Sequence, residues 1–122
     1  MYRVKIVTQF SAAHSLKNYR GKCESLHGHN WKVEVILAGE ETDSSGMIMD
    51  FARLKKITNE VLEKLDHKYL NDLECFSGIS PSSEEISKYI FKKLKKNAEN
   101  QHCRLDEVRV WETDSSCAMY RE

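Results

Sequence analysis

The first sixteen residues alternate in character. Tyr2, Val4, Ile6, Phe10, Ala12, His14 and Leu16 hold one parity, and Arg3, Lys5, Gln9, Ser11 and Ser15 hold the other, with Val7 and Ala13 out of step. A period of two predicts a strand that buries one face and wets the other. Residues 17–28, KNYRGKCESLHG, break the alternation and predict a loop. It resumes at Trp31, Val33, Val35 and Leu37, set between Lys32 and Glu34, and a second strand is expected up to the polar turn EETDSSG.

From Phe51 the period lengthens. Phe51, Leu54, Ile57, Val61, Leu62 and Leu65 fall on one helical face, with Asp50 placed as N-cap and Asp66-His67 at the expected helix end. A second helix is expected from Ser82, where Glu85 stands at capping-box spacing and Pro81 precedes the first turn at no cost in hydrogen bonds. Ile86, Tyr89, Ile90 and Leu94 form its apolar stripe. KKLKKN ends it with cations that suit the helix dipole and otherwise read as a solvated face. Val108 and Val110 mark a third strand, and Ala118 to Tyr120 a short fourth one. The order β-β-α-α-β-β predicts an α+β fold: an antiparallel four-stranded sheet with two helices on one face. Residues 1–122 are the size of a single domain. Such a small sheet has two open edges, and these favour pairing with further copies of the chain.

Composition narrows the function classes. The chain is 40% hydrophobic and 31% charged, as expected of a soluble globular protein. Nineteen basic residues balance nineteen acidic ones, which argues against a non-specific nucleic-acid binder and leaves room for a local phosphate pocket. No stretch has the length of a membrane span or the character of a signal peptide, so no membrane partner and a cytoplasmic location are expected. The four cysteines form no CxxC pair, and free thiols are expected. Cys75, Cys103 and Cys117 read as small buried groups.

Two of the five histidines lie in His27-Gly28-His29. In extended backbone both imidazoles project to one side, and Gly28 permits a tight turn or a close approach. If the first two strands pair, His14 faces them, and three neutral imidazoles leave a zinc ion an open fourth position. Taken singly, each histidine is as simply a hydrogen-bonded polar residue. Cys23 lies four residues before His27, where a thiolate can act as base or nucleophile, or be incidental. Asp66-His67 is either a tautomer-fixing pair or a helix-end cation. Glu112 shares parity with Val108 and Val110, so a carboxylate falls on a buried face. It must be turned outward by a bulge or receive hydrogen bonds from a ligand such as an amino-pyrimidine edge. His102 reads as a surface residue.

Together FSAAHSL, CESLHGHN, GMIMDFARLK, LDHKYLND, PSSEEI and WETDSSCAMYRE, spread over the whole chain, resemble the 6-pyruvoyl-tetrahydropterin synthase superfamily. Within it they look most like the queuosine-pathway branch that forms a carboxylated pterin. The resemblance implies a T-fold, in which sheets of several subunits join into a barrel, and a homo-oligomer built on trimers or a hexamer. It implies zinc on His14, His27 and His29, and Cys23 as catalytic thiol. It further implies Asp66 and His67 as relay partners reaching that thiol across a subunit boundary. Glu112 would anchor the pterin and share in the relay, with Ser82, Ser83 and Glu84 near the pterin pocket; many members carry threonine where Ser82 stands. The implied reaction is a lyase step on 7,8-dihydroneopterin triphosphate. A pyruvoyl-forming enzyme is the sister alternative. A zinc-stabilised binding module would need none of Cys23, Asp66, His67 or Glu112, and a zinc hydrolase lacks an HExxH-type candidate.

Overall fold

The structure is a computed structural model that describes residues 1–21 and 25–122. Strand β1 (Tyr2–His14) and strand β2 (His27–Gly39) pair antiparallel along their whole length, from Tyr2 opposite Gly39 to His14 opposite His27. The second strand therefore starts at His27, inside the segment expected to be loop. Helix α1 (Phe51–Leu62) is followed by strand β3 (Lys68–Tyr69) and two short 3-10 turns, then helix α2 (Ser83–Ala98). Strands β4 (Arg104–Thr113) and β5 (Ser116–Tyr120) close the chain as a hairpin. The sheet order is β3-β1-β2-β4-β5.

Five strands rather than four result because β3 pairs in parallel with Ala12 and Ala13. It is two residues long, too short to carry any periodicity, and backbone hydrogen bonding alone places it. Both helices start where their caps are. The Asp50 carboxylate accepts from Ala52 N–H at 2.8 Å, and the Ser82 hydroxyl accepts from Glu85 N–H at 3.2 Å. Helix α1 ends at Leu62, four residues before Asp66, so the Asp66-His67 pair stands beyond the helix. Its buried stripe is Leu54, Thr58 and Leu62, and Phe51, expected on that stripe, is 54% exposed.

One face of the sheet meets the helices. Ile6, Phe10, Trp31, Val33, Val35, Leu37, Val108 and Val110 pack there against Leu54, Leu62, Ile86, Ile90, Phe91 and Leu94. Each large apolar side chain so buried contributes about 1.5–3 kcal/mol. Glu34, expected on a wetted face, is buried on the opposite face between Lys5 and Arg109. Of the cysteines, Cys103 is buried as expected, but Cys75 is exposed and Cys117 half-buried; all three are free thiols. His102 is half-buried in the α2–β4 connection. Among the described residues, no helix is long and apolar enough to cross a membrane.

Candidate active site

Three imidazoles converge because of strand register. His14 ends β1 directly opposite His27, which opens β2, and His29 lies opposite Ala12. Opposite residues share a face, and a period of two brings His29 to the same face as His27. Ring centroids stand 4.5 Å apart for His14 and His27, 4.7 Å for His27 and His29, and 5.4 Å for His14 and His29. Trp31, next along this face, forms the floor, 4.9 Å from the His14 ring and 5.1 Å from that of His29. Its indole N–H donates to the Ala12 carbonyl at 3.2 Å. Gly28 sits between the two histidines in regular strand, and a Cβ there would meet only the Ala12 carbonyl at 3.8 Å. No close approach requires a glycine at that position, contrary to expectation.

The proton positions follow from the neighbours. His14 Nδ1 lies 2.8 Å from the Pro81 carbonyl, and His27 Nδ1 lies 2.9 Å from the Ser25 carbonyl. A carbonyl oxygen only accepts, so each Nδ1 donates, and in the neutral ring Nε2 is then the atom with a lone pair to offer a metal. These two Nε2 atoms stand 3.0 Å apart. At that distance the two atoms share either a proton, as an N–H···N hydrogen bond, or a metal ion. Donors of one tetrahedral zinc ion, each at about 2.0–2.1 Å, stand about 3.3–3.4 Å from one another. His14, His27, His29 and Glu112 each offer one donor atom, all within 4.8 Å of one another. This donor set, with its Nδ1 atoms held by backbone carbonyls, fits zinc.

Glu112 is the member that sequence reading did not count as a metal donor. Strand β4 shifts register against β5 between Trp111 and Thr113, and Glu112 lies in that irregularity. Its Oε1 is 3.4 Å from His29 Nε2, and its Oε2 accepts from the Ser83 hydroxyl at 3.3 Å. The parity of Glu112 with Val108 and Val110 was signal enough for a carboxylate in need of partners. That those partners are His29 and Ser83 depends on how β4 and α2 come together.

The other sequence-derived residues divide. Of the segment at the start of α2, Ser83 reaches Glu112, Ser82 spends its hydroxyl on the helix cap, and Glu84 is exposed. Asp66 and His67 stand at the edge of β1, outside the four-residue donor cluster. Ser11 N–H donates to Asp66 Oδ1 at 2.9 Å, and His67 N–H donates to the Ser11 carbonyl at 2.6 Å. That Ser11 hydrogen bond is the main reason the Asp66 carboxyl is held below its ordinary value, so it stays an anion beside His67 Nδ1, 2.9 Å away. His67 has φ +58°, in the left-handed region, and its side chain is 81% exposed. Cys23 lies outside the described residues. A cavity of about 520 Å³ opens at the far end of β2, along Ala38–Glu41 and Asn100–Arg104. Among the described residues, the convergent donors are at the His27 end.

A sheet backed by two helices, with three imidazoles and a carboxylate gathered at one end, defines an α+β protein with a metal-type donor site. Residues 3–122 match the model of the 6-pyruvoyl tetrahydropterin synthase family, and the chain belongs to that family. It is 42% identical to a putative 6-carboxy-5,6,7,8-tetrahydropterin synthase of Archaeoglobus fulgidus, across 97% of this chain and 94% of that one. It is 37% identical to a putative 6-pyruvoyl tetrahydrobiopterin synthase of Caenorhabditis elegans, across 99% of each. The solved structure of Caenorhabditis elegans 6-pyruvoyl tetrahydropterin synthase superposes with a TM-score of 0.85 at 33% identity, covering 99% of this chain and 95% of that one. The fold is that of these T-fold proteins.

Proposed function

We propose that this chain is a zinc-dependent lyase, a 6-carboxytetrahydropterin synthase. It converts 7,8-dihydroneopterin triphosphate and water to 6-carboxy-5,6,7,8-tetrahydropterin with release of triphosphate and acetaldehyde, on the route to queuosine and related 7-deazapurines. The observation that carries this reading is the convergence of His14, His27 and His29 with Glu112. The identity to the Archaeoglobus fulgidus relative favours the carboxy product over the pyruvoyl one.

Zinc bound by the three imidazoles supplies Lewis acidity toward the side-chain oxygens of the substrate. The remaining roles belong to the chain. Glu112 accepts hydrogen bonds from the ring N–H and amino donors of the pterin, and so fixes its register; Ser83 orients that carboxylate. Cys23 holds and moves protons on the side chain of the substrate. Asp66, kept anionic by Ser11, orients the His67 imidazole that assists the thiol. The exposure of His67 at the sheet edge suits delivery to a neighbouring copy, in a homo-oligomer built on trimers, extending to a hexamer, with shared sites. The cytoplasm is the expected compartment.

The test is incubation of the zinc-loaded protein with dihydroneopterin triphosphate and an assay for acetaldehyde. Acetaldehyde in step with the carboxylated pterin is expected, and a pyruvoyl product without acetaldehyde would reject the assignment. Cys23→Ala should retain zinc and assembly while turnover is lost; unchanged turnover removes the thiol from the mechanism.

A further inference from the structure

The segment that follows α1 runs along the edge of β1 and holds it at three successive points. Ser11 N–H donates to Asp66 Oδ1, and the Ser11 carbonyl accepts from His67 N–H. Next, β3 pairs with Ala12 and Ala13. By Ser15 the segment has left β3 for the 3-10 turn Leu70–Asp72, and a side chain takes over. Ser15 N–H donates to Asn71 Oδ1 at 2.9 Å, and Asn71 Nδ2 donates to the Ser15 carbonyl at 2.8 Å. We propose that Asn71 is a positioning residue for His14, tying down the end of β1 so that the imidazole stays placed to ligate the metal. This rests on the metal reading of the donor cluster and names a side chain, remote in sequence, that keeps the cluster assembled.

Three features carry the proposal. Along an extended chain the backbone N–H and C=O groups of alternate residues point to one side, so Ser11, Ala13 and Ser15 all face this segment. A carboxamide holds a donor and an acceptor side by side, as a peptide group does, and Asn71 thus continues the ladder where β3 has stopped. Position is the second feature. Ser15 directly follows His14, and His14 opposite His27 is the last pair of the β1–β2 ladder. Strand ends open readily unless they are tied down, whereas a binding constellation tolerates only about 0.5 Å of displacement.

The third feature is that neighbouring residues act at the same place. Ser15 Oγ lies 2.9 Å from Tyr69 Oη, Lys17 N–H donates to Ser80 Oγ at 2.6 Å, and His14 Nδ1 meets the Pro81 carbonyl at 2.8 Å. The connection from β3 to α2 therefore holds the chain at residues 14, 15 and 17. Of these anchors, Asn71 is the side chain that bonds both backbone groups of one residue, and the buried Leu70 beside it seats the turn in the core. Its carboxamide touches no donor atom of the cluster; it acts through the backbone of Ser15.

Cobalt(II) reports the placement of His14 without turnover, because its visible bands follow donor type, number and geometry. Asn71→Ala should still take one cobalt per chain, with altered bands and an affinity about 10–100-fold below wild type, as for loss of a group that orients a metal ligand. Asn71→Asp, of the same size, keeps the acceptor for Ser15 N–H and loses the donor to its carbonyl. It should lose affinity as well, and it carries the test if Asn71→Ala does not fold. Gly39→Ala, crowded against the His102 carbonyl at the far end of β2, should keep wild-type bands and affinity. Wild-type bands and affinity in either folded Asn71 variant, or failure of both to fold, would overturn the proposal and leave the metal site standing. So would an equal loss of affinity in Gly39→Ala, which would make the effect one of general stability. Failure of the wild type to bind cobalt would overturn the metal reading and the proposal together.

Discussion

At His14 and His27 the Nδ1 atoms lie against backbone carbonyls, those of Pro81 and Ser25. Backbone orienters survive any side-chain substitution at their own positions, so these imidazoles are held by the fold itself. The segment that orients His14 is also the entrance to α2, which carries Ser83, and metal donors and carboxylate orientation thus share one support. Gly39 shows what residue-level reading misses. A Cβ there would stand 2.1 Å from the His102 carbonyl oxygen and 3.2 Å from Ile48 Cγ2, whereas Gly28, in the conspicuous HGH motif, has ordinary clearance. Gly39→Ala is expected to destabilise the protein by ~2–4 kcal/mol, read as a lower urea midpoint, because backbone must move to make room. Gly28→Ala is expected to stay within about 1 kcal/mol of wild type.

Elements were legible where they obey a period and are capped. Both N-caps lie where Asp50 and Ser82 put them, and the three long strands contain the alternating residues that predicted them, β2 starting earlier, at His27. The ends were not: α1 stops at Leu62 although Leu65 continues the stripe, because the chain turns there to bring Asp66 and His67 onto Ser11. The basic tail of α2 was expected to be merely solvated, yet Lys92 and Lys95 both pair with Glu122, which ties the chain end to the helix. Hydrogen bonds from Lys92 and then Lys95 lower the Glu122 carboxyl from 4.5 to about 2. A depressed carboxyl adds stability above its unfolded value and loses it as pH falls through the folded one. Thermal melts should therefore show a Glu122-dependent loss between pH 4.5 and about 2. Glu122→Gln should flatten that part of the profile, and salt should shrink the difference. Equal slopes in both proteins would show that the clamp adds no stability in solution.

On the scale of the molecule, the face of the sheet away from the helices carries a continuous ion-pair network. Arg3 pairs with Asp106 and Glu107, Arg109 with Glu107 and Glu34, Lys5 with Glu34, and Arg121 with Asp106. The register of β3 covers β1 only at Ala12 and Ala13, so the rest of that strand offers an open edge, and β5 ends the sheet on the other side. In the homo-oligomer proposed above, head-to-tail edge pairing of copies would close a ring and carry the exposed His67 of one copy toward the site of the next. Co-expression of Cys23→Ala with His67→Ala should then restore about a quarter of wild-type turnover from two inactive variants, since random mixing leaves that share of shared sites intact. No recovery in mixed oligomers would place each site within one subunit. Alternation, caps and the HGH spacing are properties of neighbours along the chain, so the sequence by itself determined the three long strands, the helix starts and the shared face of His27 and His29. Only tertiary structure decided that Nε2 of His14 meets Nε2 of His27, that β3 exists, that Glu34 is buried, and that Glu112 turns to His29. These depend on register, on a bulge and on the approach of α2 to β4, and such long-range contacts leave no local period in the sequence.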